Sequence, residues 1–243
     1  MSATSTLIGY QGTMGRDQLA LVHTPPGTDT HRPVPHIEIV NALVETLGFR
    51  HIGIVQENYA VSRDGARLFG VLDLETEIHG ARFSIGLRNG NDKSMALAMT
   101  CGYRVFVCEN MSFQGDFTPV FARHTKSFDL MNAISTGVDR MQRNFEPMVK
   151  EIETWRGAQL TDVTAKMVIY QAFIEAQLEA PKHLARSVHD LYFDPKYDEF
   201  KPRTVWSLSN AFTSAFKELD PIPQFKATAK LGGYLNQCLS GSF

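Results

Sequence analysis

The sequence has few cysteines, no long apolar run and no excess of either charge, and each shortage closes a class of function. Its three cysteines, Cys101, Cys108 and Cys238, lack metal-ligand spacing and leave an odd count. That excludes a zinc ribbon or a disulfide scaffold, fits a reducing compartment, and leaves each thiol as a small buried apolar group. No apolar stretch reaches ~18 residues, and the start, MSATSTLIGYQG, carries no basic segment ahead of an apolar one. Neither a membrane span nor a secretion signal is expected, so the chain reads as cytoplasmic. A net charge of −2, spread evenly along the chain, excludes a strongly basic surface and confines any nucleic-acid contact to a local patch. No Walker or dinucleotide glycine pattern is present, so no cofactor is expected.

What is present is the composition of a globular α+β protein, 43% hydrophobic and 21% charged over 243 residues. Residues 1–34 are rich in Thr, Pro and Gly, and TPPGTDTHRPVP at 24–35 cannot hold a helix or a central strand, which predicts an extended arm. Pro35 then opens a helix whose stripe is Ile37, Val40, Leu43, Val44 and Leu47, ended by Gly48. From Arg50 the period becomes two, with turns at Arg63-Asp64-Gly65 and His79-Gly80, which predicts a three-stranded antiparallel meander. Asp92 suits the N-cap of a short helix over Lys93–Met99, Gly102 its C-terminal end, and Tyr103–Glu109 reads as a fourth strand. This α+β core spans 35–127, and a helical region of 128–243 follows.

In that region Ile134, Val138, Met141, Phe145, Met148, Ile152 and Trp155 form a heptad seam, packed on later helices or on a second subunit. Pro147 within it predicts a kink or break near Glu146. A helix from Leu160-Thr161-Asp162 takes Val163, Met167, Tyr170, Ile174 and Leu178 as its buried stripe. Shorter helices are expected around 184–191, 204–219 and 224–239, with Trp206, Phe212 and Phe216 as core aromatics.

The densest polar knot is Arg82–Asn110. Arg82, Ser84, Gly86 and Arg88 alternate with Phe83, Ile85 and Leu87, so one strand face carries two guanidiniums. A helix start behind Asn89-Gly90-Asn91, flanked by Arg88 and Lys93, is a phosphate-sized anion site; the same residues also read as an ordinary capped turn. The candidate phosphate contacts are Arg82, Arg88, Asn89, Asn91, Lys93, Ser94, Arg104 and His124, with Phe83 and Phe106 as stacking platforms if their alternation does not turn them to the core. Asp73, Glu75, Glu77 and His79 fall on one face of the second strand, which suits either a divalent metal of a nuclease or a solvated outer face. No metal is assigned on that pattern, and no Ser/His/Asp or Cys/His constellation is recognisable.

The strings FSIGLRNGNDKSMALAMTCGYRVFVCENMSF, His124-Thr125, LTDVTAKMVIYQAFIEA, APKHLA and TVWSLSNAFTSAFKEL resemble the phage- and plasmid-like proteins grouped as a bacterial domain of unknown function, over roughly 35–240. That resemblance implies a mobile-element setting and no mechanism. The order helix, meander, helix is also similar to the core of the single-strand annealing proteins of phage recombination, whose rings hold single-stranded DNA in a basic groove. It implies a non-catalytic homo-oligomer with single-stranded DNA as partner. The competing expectations are a metal-dependent nuclease on the Asp73 face and a protein-interaction factor acting against a host defence.

Overall fold

Period-two patterning from residue 54 onward builds a sheet. The structure, a computed structural model, describes residues 10–78, 80–105, 111–113, 119–175, 177–219 and 221–241. The architecture is α+β. The chain divides into two compact units, Met1–Arg104 with Phe117–Asn144, and Val105–Asp116 with Phe145–Phe243.

In the first unit, strands β1 (Tyr10–Met14), β2 (Ile54–Ser62), β3 (Arg67–Ile78), β4 (Ala81–Gly90) and β5 (Leu97–Val105) follow one another across the sheet. The expected meander is β2-β3-β4, antiparallel throughout and turned at Gly65 (φ 70°) and Gly80 (φ 80°), where the left-handed backbone favours glycine. His79 lies outside the described residues. Phe83, Ile85 and Leu87 of β4 are no more than 2% exposed, each stabilising by about 1.5–3 kcal/mol relative to an exposed position. Helix α2 (His36–Phe49) begins behind Pro35, whose ring presets φ, and buries Ile39, Val40, Leu43 and Leu47 completely. Tyr59 lies across Gly70, where a Cβ would come within 2.8 Å of its ring, and its hydroxyl donates to Glu57.

The predicted arm is more ordered than its composition suggests. Residues 10–14 add β1 to β2, and a short helix α1 (Arg16–Leu19) seats Leu19 in the core, with Arg16 paired to Glu57 at 2.5 Å. The short helix expected over 93–99 is absent. Asp92 instead accepts from the Ser94 backbone N–H at 3.0 Å, closing a turn with Lys93 at φ 65°, and Leu97 starts β5. Sheet pairing decides this, because Leu97–Met99 pair with β7 (Val120–Ala122) while every residue from Leu97 to Tyr103 is buried. The predicted fourth strand therefore begins six residues early; 106–109 lie outside the described residues.

Helix α3 (Leu130–Gly157) continues through Pro147, which corrects the split given as one of two outcomes there, the other being a kink. Pro147 is solvent-facing, so the Arg143 carbonyl freed by the missing N–H can bond water. The seam residues are buried, apart from half-buried Phe145. In the first unit Arg50 grips α3 through Asp139 (2.9 Å) and Ser135 (2.8 Å).

The second unit comprises β6 (Met111–Phe113), residues 145–157 of α3, and helices α4 (Asp162–Phe173), α5 (Leu184–Phe193), α6 (Val205–Ala215) and α7 (Pro221–Ser240). Helix α6 is buried nearly all round, its Asn210 amide donating back to Trp206 O at 2.9 Å. The Trp155 indole donates to Asn236 of α7 (2.8 Å), and the Tyr234 hydroxyl to Val168 O of α4 (2.5 Å). Thr161 caps α4, yet the helix is turned opposite to expectation. Ala165, Val168, Ile169, Ala172 and Phe173 are buried, whereas Val163, Met167, Tyr170 and Ile174 are 73%, 52%, 51% and 42% exposed; of the expected stripe only Leu178 is buried.

Gly137 of α3 marks a close helix–sheet approach, since a Cβ there would lie 2.2 Å from Val120 Cγ2 and 2.9 Å from Met99 Cε. Gly137→Ala is expected to lower stability by about 1–3 kcal/mol despite its helix-propensity gain of ~1 kcal/mol, read as a lower urea midpoint. An unchanged or higher midpoint would mean that the helix shifts freely.

Candidate functional site

Strand alternation sorts the candidate residues into three environments. Arg82, Ser84, Gly86 and Arg88 of β4 point away from the Phe83-Ile85-Leu87 core. Residues directly opposite on antiparallel strands share a face, so the pairs Phe69↔Arg88, Val71↔Gly86 and Asp73↔Ser84 put Phe69, Val71 and Asp73 beside them. Arg104 of β5 reaches the same surface, its Nε 3.2 Å from Asp73 Oδ2, while Ser84 donates to Asp73 Oδ1 at 2.6 Å. Asp73 is 3% exposed, so this charge-assisted pairing satisfies a carboxylate that water cannot reach. Arg82 pairs with Glu77 at 2.5 Å. Arg88 has no carboxylate partner among the described residues. The face thus carries three guanidiniums strung along it, with the half-buried phenyl ring of Phe69 directly opposite Arg88, a ring that alternation alone does not mark as a contact.

Asn89, Asn91 and His124 are 0%, 4% and 3% exposed and form a hydrogen-bonded cluster with His31 and His36, neither of which sequence reasoning singled out. Asn91 clamps Val34, accepting from its N–H (3.1 Å) and donating to its carbonyl (3.0 Å). The Asn89 amide bridges His36 Nδ1 (3.0 Å) and His124 Nε2 (2.6 Å); His36 Nε2 meets Gly65 O at 2.9 Å, and His31 Nε2 meets Asn91 O at 3.1 Å. These three candidates hold loops together, and burial removes them from phosphate contact. A histidine just after Pro-Val-Pro at the first turn of a helix was the available signal, though nothing in the sequence marks it as buried. Lys93 and Ser94 sit exposed at the turn tip, Lys93 donating to Thr28 (3.3 Å) and Ser94 to Asp92. With no helix at 93–99, the helix-dipole anion site does not exist. Phe83 is 1% exposed and cannot stack on a base; Phe106 and Cys108 lie outside the described residues.

The acidic face of β3 does not converge. Register shifts between Asp73 and Glu77, Glu75 folds over Gly53, and Asp73 and Glu77 each hold a different arginine. Among the described residues no group of three His, Cys, Asp or Glu could hold a metal ion, and no helix is long and apolar enough to cross a membrane.

An α+β chain with a meander and a helical second half defines only a broad class. A family profile, Domain of unknown function (DUF932), matches residues 28–230, and the chain belongs to that family. No curated protein matches the chain. No solved structure matches it either.

Burial pushes the His36 imidazole below its ordinary value, opposed by the Gly65 bond, and burial followed by neighbouring His31 does the same to His124. Groups with depressed histidine pKa stay neutral when folded and take up protons on unfolding, so stability is complete above the unfolded value of ~6.5 and falls as pH drops below it. Urea midpoints measured between pH 8 and 5 are expected to decline below pH ~6.5, and a flat profile would refute the neutral cluster. Asn89→Ala is expected to cost about 1–3 kcal/mol by leaving buried partners unpaired.

Proposed function

We propose that the chain binds single-stranded nucleic acid on the Arg82, Arg88, Arg104 face, acting without catalysis and as an oligomer in an annealing or recombination role of a phage or plasmid. The observation that carries this reading is the pairing of Phe69 with Arg88 on a face that also carries Arg82 and Arg104. A strand needs cations for its phosphates and a π-face for its bases, and stacking on one aromatic is worth about 1–3 kcal/mol per base. Such contacts hold the backbone with little base readout, and oligomerisation multiplies a weak patch into a usable affinity.

Fluorescence anisotropy of a labelled single-stranded oligonucleotide across a salt series tests it. Three phosphate contacts predict a log–log salt slope of about −2 per subunit, with weaker binding to duplex. Arg82→Ala with Arg88→Ala is expected to abolish binding while moving stability by no more than about 0.5 kcal/mol. Absence of binding at low salt by the wild type would refute the reading.

A second reading, a factor that works through protein contact, is favoured by the exposed Val163-Met167-Tyr170-Ile174 row of α4. Met167→Asp is expected to lower any self-association seen by light scattering without loss of secondary structure. An unchanged molar mass would remove α4 from the oligomer contact.

A further inference from the structure

The arginine face reaches further across the sheet than β3 and β4. Arg104 meets Asp73 on that face, so alternation along β5 brings Ala98, Thr100 and Gly102 to the same side. Met99 and Cys101 point the opposite way, toward α3. A Cβ on Gly137 would lie 2.9 Å from Met99 Cε, and the Asn144 amide donates to the Cys101 sulfur at 3.7 Å. Strand β7 pairs Ala98 with Phe121 and Met99 with Val120, whose Cγ2 a Gly137 Cβ would also meet. Residues directly opposite on antiparallel strands share a face. Phe121 therefore stands on the arginine side, and it is 65% exposed where Phe69 is half-buried.

The turn between β4 and β5 fixes its level along the sheet. Strand β4 ends at Gly90 and β5 begins at Leu97, so Arg88 and Ala98 each lie within two residues of that turn. Phe69 is opposite Arg88 and Phe121 opposite Ala98, which brings two phenyl rings to one end of one face, with Arg88 on a strand between them. Three strand steps from β3 to β7 span about 14 Å. The turn folds Met95 back over Gly90, where a Cβ would lie 2.5 Å from Met95 Cγ. Gly90 shares the parity of Arg88, so this half-buried thioether lies on the side of the two rings. Arg67, opposite Gly90, holds Asp92 at 3.5 Å, and Arg123 is exposed just past β7. Arg88 has no carboxylate partner among the described residues, whereas Arg82 and Arg104 are held by Glu77 and Asp73.

Resting on the single-strand reading above, we propose that Phe121 is a second stacking platform of the site, and that the bound strand crosses the sheet from Phe69 past Arg88 to Phe121. The occupant is defined by its chemistry. It must be a polyanion, to answer Arg88 and Arg123, and it must carry free π-faces at intervals, to cover two separated phenyl rings. Unpaired nucleic acid has both, while a duplex keeps its base faces inside its own stack. A strand laid along β4 alone would leave Phe121 untouched two strands away, so the role of this ring also tests the path.

Anisotropy titrations of a labelled oligothymidylate with wild type and Phe121→Ala test the proposal. Loss of one stacked base is expected to weaken binding about 5- to 150-fold. The log–log salt slope and the urea midpoint should stay as in wild type, because no phosphate contact and no core residue is removed. An abasic strand of equal length should bind both proteins alike. In Phe121→Trp the new indole is the exposed one, Trp155 and Trp206 being 1% exposed, so its emission should be quenched by the oligothymidylate and not by the abasic strand. Wild-type affinity in Phe121→Ala, a loss accompanied by a smaller salt slope or a lower urea midpoint, or an indole emission unmoved by saturating oligothymidylate would overturn the role of Phe121 and leave the arginine reading standing. Wild-type protein that binds no strand at low salt would overturn both. Should Phe121→Ala fail to fold, the Phe121→Trp emission decides alone.

Discussion

A pleated strand sends successive side chains to opposite faces, and β4 keeps that alternation over ten residues without a bulge of its own. Its odd positions enter the core as Phe83, Ile85 and Leu87, ending in the Asn89 cluster, and its even positions carry Arg82 and Arg88 outward. Slipping the register by one residue would bury two guanidiniums and expose the apolar row, which fixes the pairing with β3 strongly. The arginine face and the histidine cluster are thus two sides of one strand, and neither can move without the other.

Asp73 shows how a charge is kept on that sheet. Burying a carboxylate is costly unless it is paired and hydrogen-bonded, and Ser84 of the adjacent β4 and Arg104 of β5, one strand further on, supply both. The same pairing keeps the acidic row of β3 from converging: Asp73 and Glu77 each hold a different arginine, and Glu75 folds over Gly53.

The elements governed by local rules were legible beforehand. Helix α2 carries its own boundary and most of its stripe, with Ile39 rather than half-buried Ile37 entering the core, and Asp64-Gly65 between alternating runs defines a hairpin whatever surrounds it. Segment 93–105 was not legible, because Leu-Ala-Met suits a helix as well as a buried strand and only its neighbours β4 and β7 settle the matter. Helix α4 misled for a related reason. It has apolar residues all round, so the sequence contains two stripes at helical spacing, and tertiary packing took the one made of Ala165, Val168, Ile169, Ala172 and Phe173. At the candidate site, alternation put Arg82 and Arg88 on one strand face but did not show that Arg82 is ion-paired, and Asn89, Asn91 and His124, expected beside them as phosphate contacts, are instead buried in a separate cluster.

Tyr59, lying over Gly70, belongs to a set of phenols with an optical consequence. Burial raises the ionisation of Tyr59 and Tyr234 beyond the ordinary alkaline range and that of Tyr192 to about 12. Unfolding frees all three, so near pH 11 their share of the tyrosinate absorbance rises as the chain comes apart, an internal gauge of denaturation.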